Sequence, residues 1–331
     1  MMRMLDYNAL FELGEIYMLI LPNYRIWDFW TIHDGDRHHL YCLKAPEVGH
    51  PSLRHDLSVI AHATSLDLVR WQWHEDVLNP GGNGAWDDLS LWTGSVIKHN
   101  KEWIMFYTGR NHRDRSQNLG LAISDDLYFW EKSPSSPVLQ PDPHWYVTAP
   151  EEAPDVFTWR DPYVVYDPST ALYYVFLASH DRSQPQGYQG AIGLAHSPDL
   201  HHWSWLPPVL SSGCFRDMEV PTVIQWNAAW YLFISVKAEW YHPSCPVSDR
   251  TTGTLCFRSE RITGPFELVG RPLVQDHWYA ARPIVHGNQC LLLGWRMGEE
   301  EGYPHHSLPY TIDNPRPLFW DKDNRVHIST P

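Results

Sequence analysis

Three carboxyl side chains interrupt runs that are otherwise apolar and aromatic. Asp28 sits in Tyr24-Arg25-Ile26-Trp27-Asp28-Phe29-Trp30, Asp161 in Phe157-Thr158-Trp159-Arg160-Asp161-Pro162-Tyr163, and Glu219 in Phe215-Arg216-Asp217-Met218-Glu219-Val220-Pro221. Each run reads as a buried strand. An unpaired carboxylate is costly to bury, so each of these groups needs a partner or a chemical task. Asp217 shares the strand face of Glu219 by the period-2 rule and competes with it. Asp34 and Asp36 flank Gly35 and read as a hairpin turn. The pairs His38-His39, His201-His202 and His305-His306 invite a metal reading. Adjacent strand residues face opposite sides, however, and His201-His202 falls inside a repeated peripheral motif, so neither a metal site nor a cofactor is expected.

Elements that could gather such distant carboxylates are visible in the pattern. Runs of about five aromatic and branched residues recur: Trp103-Ile104-Met105-Phe106-Tyr107, Tyr173-Tyr174-Val175-Phe176-Leu177, Trp230-Tyr231-Leu232-Phe233-Ile234 and Cys290-Leu291-Leu292-Leu293. Each is bounded by turn residues such as Asn100-Lys101 or Asn288, and a helical stripe is hard to find except near Leu5 to Leu19. The chain also repeats. The pattern S-x-D-L-x-x-W begins at Ser65, Ser124 and Ser197, starts 59 and 73 residues apart, and a looser copy from Ser259 puts Phe266 where the Trp stood. Each copy follows a pair of strand-like runs. A unit of roughly 60 to 70 residues with about four short strands is a propeller blade with generous loops. Four copies plus the strands around Trp278 to Trp295 and Leu318 to Ile328 predict an all-β, five-bladed β-propeller. The repeated Trp is expected to cover a blade edge and carry no chemistry. A propeller brings the innermost strand of every blade to one axis, where Asp28, Asp161 and Glu219 converge.

Composition bounds the partners. The 331 residues are 43% hydrophobic and 19% charged, enough to bury a core and unlike a disordered chain. A net charge of −14, with no basic run, argues against nucleic acid or an anionic membrane surface. The five cysteines are scattered and never spaced as CxxC, which suggests neither a disulfide framework nor a zinc site. With no signal-peptide pattern or long apolar run, a cytoplasmic location is expected.

The boxes Trp27-Asp28, Trp159-Arg160-Asp161-Pro162 and Met218-Glu219-Val220-Pro221 resemble, in order and separation, the three acidic boxes of the five-bladed β-fructofuranosidase superfamily, glycoside hydrolase families 32 and 68. Leu91-Trp92-Thr93-Gly94-Ser95, Trp278-Tyr279-Ala280-Ala281-Arg282 and Leu293-Gly294-Trp295 support the likeness, which covers residues 24 to 331. Trp27-Asp28-Phe29-Trp30 stands nearer to the Trp-Asp-x-Trp form of family 68 than to the Asn-Asp-Pro-Asn-Gly of family 32, and Val220 stands where a Cys is usual. Family 32 members tend to carry a C-terminal β-sandwich. Here the expectation is a single propeller over residues 1–331 without it, residues 1–23 being an N-terminal extension or closing segment.

The resemblance implies a carbohydrate substrate, a β-fructofuranoside, with Asp28 as nucleophile, Glu219 as general acid and then base, and Asp161 holding sugar hydroxyls. An apolar setting and neighbouring carboxylates would help Glu219 hold its proton. Trp27, Trp92 and Trp278 are candidates for stacking on sugar, and Arg160 for orienting a carboxylate or donating to a hydroxyl. Retention of configuration is expected, with Asp28 and Glu219 about 5 to 5.5 Å apart. Two alternatives stay open: an inverting arabinan or xylan hydrolase of the family 43 kind, which Gly264-Pro265-Phe266 favours, and a non-catalytic carbohydrate-binding propeller.

Overall fold

Five four-stranded antiparallel sheets follow one another in this computed structural model, which describes residues 18–148, 157–273, 278–298 and 309–329. Blade I comprises β1 (Tyr24–His33), β2 (His38–Pro46), β3 (Val59–Ser65) and β4 (Trp71–Trp73), with a one-turn helix, α1 (Arg54–Leu57), between β2 and β3. Blade II holds β5 (Ser90–His99), β6 (Glu102–Arg110), β7 (Gln117–Ser124) and β8 (Glu131–Lys132). Blade III holds β9 (Trp159–Asp167), β10 (Leu172–His180), β11 (Gly190–Ser197) and β12 (Ser204–Ser211). Blade IV holds β13 (Glu219–Trp226), β14 (Ala229–Val236), β15 (Gly253–Ser259) and β16 (Glu267–Leu268). Blade V holds β17 (Trp278–His286), β18 (Gln289–Arg296), β19 (Arg316–Trp320) and β20 (Val326–Ile328). Strands pair in chain order in every blade, so the predicted all-β five-bladed propeller is the observed fold.

The second strands show why the apolar runs are continuous rather than alternating. Every residue of β14 is buried, because blades pack on both faces of the sheet. The S-x-D-L-x-x-W repeat is the turn between the third and fourth strands. In its first copy Ser65 Oγ accepts from the N–H groups of Asp67 and Leu68, and Asp67 Oδ1 accepts from those of Val69 and Arg70. Trp71 Nε1 then donates to the Leu68 carbonyl at 3.2 Å. The same bonds recur around Asp126 and Asp199. They hold Leu68, Leu127 and Leu200 at φ of 63°, 69° and 66°, a left-handed conformation that a leucine adopts only when its surroundings fix it. In the looser copy only the Ser259 contact to the Arg261 N–H is kept, and Phe266 is buried in place of the Trp.

Near the chain's beginning, Leu19 exchanges both backbone hydrogen bonds with Ile312, at 2.8 and 3.1 Å, and Ile312 in turn bridges to Trp295 at the end of β18. Trp73 Nε1 donates to the Ile20 carbonyl, tying the same segment to blade I. Most of the stretch from Leu5 to Leu19, and His305-His306, lie outside the described residues. The other histidine pairs are structural. His202 Nδ1 meets Asp199 within its repeat, while His38 Nε2 meets His286 Nδ1 at 2.9 Å across the seam between blades I and V.

His39 and His62 are fully buried in blade I and share a 3.0 Å hydrogen bond, with Asp34 beyond His39 and His74 4.9 Å from His62 ring to ring. Burial, then the neighbouring His39 and His74, pushes His62 down to about 2, and burial and nearby histidines push His38 down to about 4. Such histidines bind protons less well folded than unfolded. Their contribution is therefore intact above the ordinary histidine value near 6.5 and is lost as pH falls below it. His62→Gln is expected to lose less of its melting temperature than the parent protein between about pH 7 and about pH 4.5. Parallel calorimetry across that range would refute this if the two slopes coincide.

Candidate active site

A one-residue irregularity in every innermost strand creates the site. The pairing register slips between Trp27 and Phe29 in β1, Trp92 and Gly94 in β5, Arg160 and Tyr163 in β9, Glu219 and Thr222 in β13, and Tyr279 and Arg282 in β17. The extra residues are Asp28, Thr93, Asp161, Val220 and Ala280. Four of them have positive φ: Asp28 26°, Asp161 58°, Val220 53° and Ala280 45°. β-Bulges bend a strand and re-aim its side chains, and such backbone strain persists where the surroundings over-determine it. In blade II the kink needs Gly94, since a Cβ there would fall 2.0 Å from the Phe106 carbonyl oxygen.

Hydrogen bonds from or beside the bulges cross every seam. Thr93 Oγ1 donates to Asp28 Oδ2 at 3.1 Å, and Trp295 Nε1 of blade V donates to Asp28 Oδ1 at 2.8 Å. The Asp161 N–H donates to Thr108 Oγ1 of blade II, and the Val220 N–H of blade IV donates to Asp161 Oδ2, both at 3.0 Å. Tyr279 of blade V donates to Glu219 Oε2 at 2.5 Å. Arg160 is buried between carboxylates: Nη2 donates to Asp217 Oδ2 at 2.7 Å and Glu219 Oε1 at 2.9 Å, and Nη1 donates to Thr158. Asp217 also accepts from Thr158 and from the Met218 N–H. Its side chain is 6% exposed against 22% for Glu219, so Asp217 supports Arg160 and is a poor competitor of Glu219.

These groups face one cavity of about 160 Å³, lined by Trp27, Asp28, Trp92, Thr93, Arg160, Asp161, Asp217 and Glu219, with Leu43, His55, Gln117 and Trp240 closing its sides. Asp28, Asp161, Glu219, Trp27, Trp92 and Arg160, read from sequence as one site, thus meet. Trp278 does not join them. Its ring is 1% exposed, packs on Gly294, and donates through Nε1 to Asp313 at 2.6 Å. The residue equivalent to Trp27 and Trp92, just before the bulge, is Tyr279, so Trp278 lies one position out and turns to the opposite face. Of the residues not singled out by sequence, Tyr279 and Trp295 lie in motifs already noted without a role. His55 arrives on α1, between rings Trp27 and Trp92, and no local pattern marks it.

Charge in the cavity is one-sided. Burial, reinforced by Glu219, raises Asp28 to about 6 against the hydrogen bonds of Thr93 and Trp295 and the charge of Arg282. Burial raises Asp161 to about 7, with Arg160 and the Val220 N–H opposing and Asp28 and Glu219 adding to it. Burial, with Arg54, Lys237 and Arg110 nearby, pushes His55 down to about 3, so it is a neutral imidazole at working pH. Glu219 accepts from Arg160 and Tyr279 on its two oxygens. Burial thus lifts both Asp28 and Asp161 well above the usual carboxylate range. No group of three or more His, Cys, Asp or Glu suited to a metal ion occurs among the described residues.

The model of the glycosyl hydrolases family 32 N-terminal domain matches residues 32–317. A probable sucrose-6-phosphate hydrolase of Psychromonas ingrahamii is 29% identical over 153 residues, 44% of this chain and 24% of that protein. The match thus spans about a quarter of that relative's length. Among solved structures, the inulosucrase of Halalkalicoccus jeotgali bound to kestose superposes with TM-score 0.77 at 20% identity, covering 93% of this chain and 87% of that one. Bacillus subtilis levansucrase does so with TM-score 0.73 at 15% identity, with the same coverage. At such identities the two structures establish the fold.

Infrared difference titration of the unliganded protein is expected to show carboxyl deprotonations near pH 6 and pH 7, assignable to Asp28 and Asp161. Because the Asp28 charge raises Asp161, Asp28→Asn should remove the first transition and move the second down. Two transitions that both survive Asp28→Asn would contradict the assignment.

Proposed function

The chain belongs to glycosyl hydrolase family 32, and from that premise we propose that it is a retaining β-fructofuranosidase acting on sucrose or fructo-oligosaccharides, with transfer to sugar acceptors at high substrate. The observation that carries this reading is the convergence of Asp28, Asp161 and Glu219 from three blades on one cavity. Asp28, its oxygens aimed by Thr93 and Trp295, attacks the anomeric carbon of the fructosyl unit. Glu219, placed by Arg160 and Tyr279, gives a proton to the departing oxygen as that bond breaks. The resulting fructosyl ester on Asp28 is then opened by water or a sugar hydroxyl, whose proton returns to Glu219. Asp161 accepts from ring hydroxyls as positive charge develops. The half-buried Trp92 offers an apolar face to the sugar, while Trp27 borders the cavity but is only 2% exposed.

Arg160 is the only Lys or Arg lining the cavity among the described residues, and Asp217 and Glu219 already engage it. That supports an uncharged donor over a phosphorylated one. Family membership supports the retaining course over the inverting, family 43-type course, and three carboxyls on strained strands support an enzyme over a binding module.

Incubation with sucrose, sucrose 6-phosphate, inulin, levan and aryl arabinofuranosides, followed by chromatography, tests the donor; release of fructose from sucrose or a fructan is expected. Asp28→Ala and Glu219→Gln should each lower turnover by about a thousandfold or more, with melting temperatures within a few degrees of the parent. Mass spectrometry of a quenched reaction should find the ester on the peptide carrying Asp28. Near-parental activity of Asp28→Ala would rule out its role as nucleophile.

A further inference from the structure

Two residues beyond each bulge, the innermost strands carry Trp30, Ser95, Tyr163, Thr222 and Arg282 at equivalent register positions. Of these five only Arg282 is charged. It is 3% exposed, and its Nε, Nη1 and Nη2 have no hydrogen-bond partner among the described residues. Its guanidinium, carried by blade V, lies 5.9 Å from the centre of the Tyr163 ring of blade III. Blades III and V are separated by blade IV, so the side chain reaches across the axis.

A guanidinium buried without a bonded carboxylate is expensive, about several kcal/mol after relaxation. Arg160 shows the ordinary solution, with its donors spent on Asp217, Glu219 and Thr158. Arg282 keeps its donors uncommitted, so its charge acts at a distance through a poorly screening interior. The groups on which that charge falls are Tyr163, Asp161 and Asp28. Asp28 is otherwise surrounded by Asp161, Glu219 and Asp217, with Arg160 held among them, the neutral His55, and the Tyr279 hydroxyl. Four carboxyls share the cavity with one cation that is already paired.

We propose that Arg282 is a positioning residue for the reaction: an axial counter-charge that keeps Asp28 in its carboxylate, attacking form while Glu219 and Asp161 crowd it with negative charge. The assignment rests on Asp28 being the nucleophile of the proposed fructosidase. The directions of the shifts agree with it: Arg282 lowers Asp28, and burial brings Arg282 itself down only to about 10, so it stays charged at neutral pH.

The test compares Arg282→Gln and Arg282→Lys with the parent protein. In Arg282→Gln the acid limb of the kcat/KM profile on the best donor is expected to move up by about one pH unit. The rate on that limb, near pH 5, then falls about tenfold while the rate near pH 8 changes little. Arg282→Lys should bring the limb back towards the parent position. In parallel, the infrared Asp28 transition of the unliganded Arg282→Gln protein should move up by the same amount, a readout that needs no substrate. A uniform loss of rate at all pH values with an unmoved Asp28 transition would overturn the proposal and leave Arg282 a packing residue. If no fructoside is cleaved but the Asp28 transition moves, the electrostatic assignment stands and the enzymatic reading falls. If Arg282→Gln does not fold, the titration of Arg282→Lys decides, since a retained charge must leave the Asp28 transition near its parent value.

Discussion

Five strands crowd against one axis, and each carries a single inserted residue, at or beside which bonds reach the next blade. Thr93 to Asp28, Asp161 to Thr108, Val220 to Asp161, Tyr279 to Glu219 and Trp295 to Asp28 carry the contact around all five seams. The same bonds that join the blades aim the reactive carboxyls. Shape and reactivity are therefore one construction here, since a strand without its bulge would turn its acid to the opposite face and leave a seam unbonded.

Burial then decides how that ring behaves chemically. A carboxyl at the axis loses hydration, and Glu219 nearby makes the charged form of both Asp28 and Asp161 dearer still, so the two rise towards neutrality. Glu219 accepts from Arg160 on one oxygen and from Tyr279 on the other. Three chemically similar side chains acquire separate dispositions through what their blades place beside them. A substrate hydroxyl or leaving oxygen entering the cavity must displace some of these contacts, and Glu219 is more accessible to it than Asp161 or Asp217.

Much of this was legible in the sequence because repetition and chemistry coincide. The Ser and Asp of S-x-D-L-x-x-W announce a turn whose bonds are entirely local, so its shape survives in any blade. Asp28, Asp161 and Glu219 stand out as charges within aromatic strands. What stayed hidden is the inserted residue itself, which leaves no mark in a period-2 pattern read by eye. Trp278 shows the consequence: it resembles Trp92 in its box, yet it stands one residue short of the equivalent position and points into the core against Gly294. His55 was unreadable for another reason. It reaches the cavity from a four-residue helix in a strand connection, and such a segment has too little periodicity to predict where its side chains go.

The pairing of Leu19 with Ile312 joins residues 293 positions apart in the chain. During synthesis blade I emerges early, but the partner of its preceding segment is made only after four blades have left the ribosome. Until then the flank of blade I that will face blade V, including His38, has nothing to lean on. The nascent chain must therefore keep that flank from sticking elsewhere while blades II to V are made.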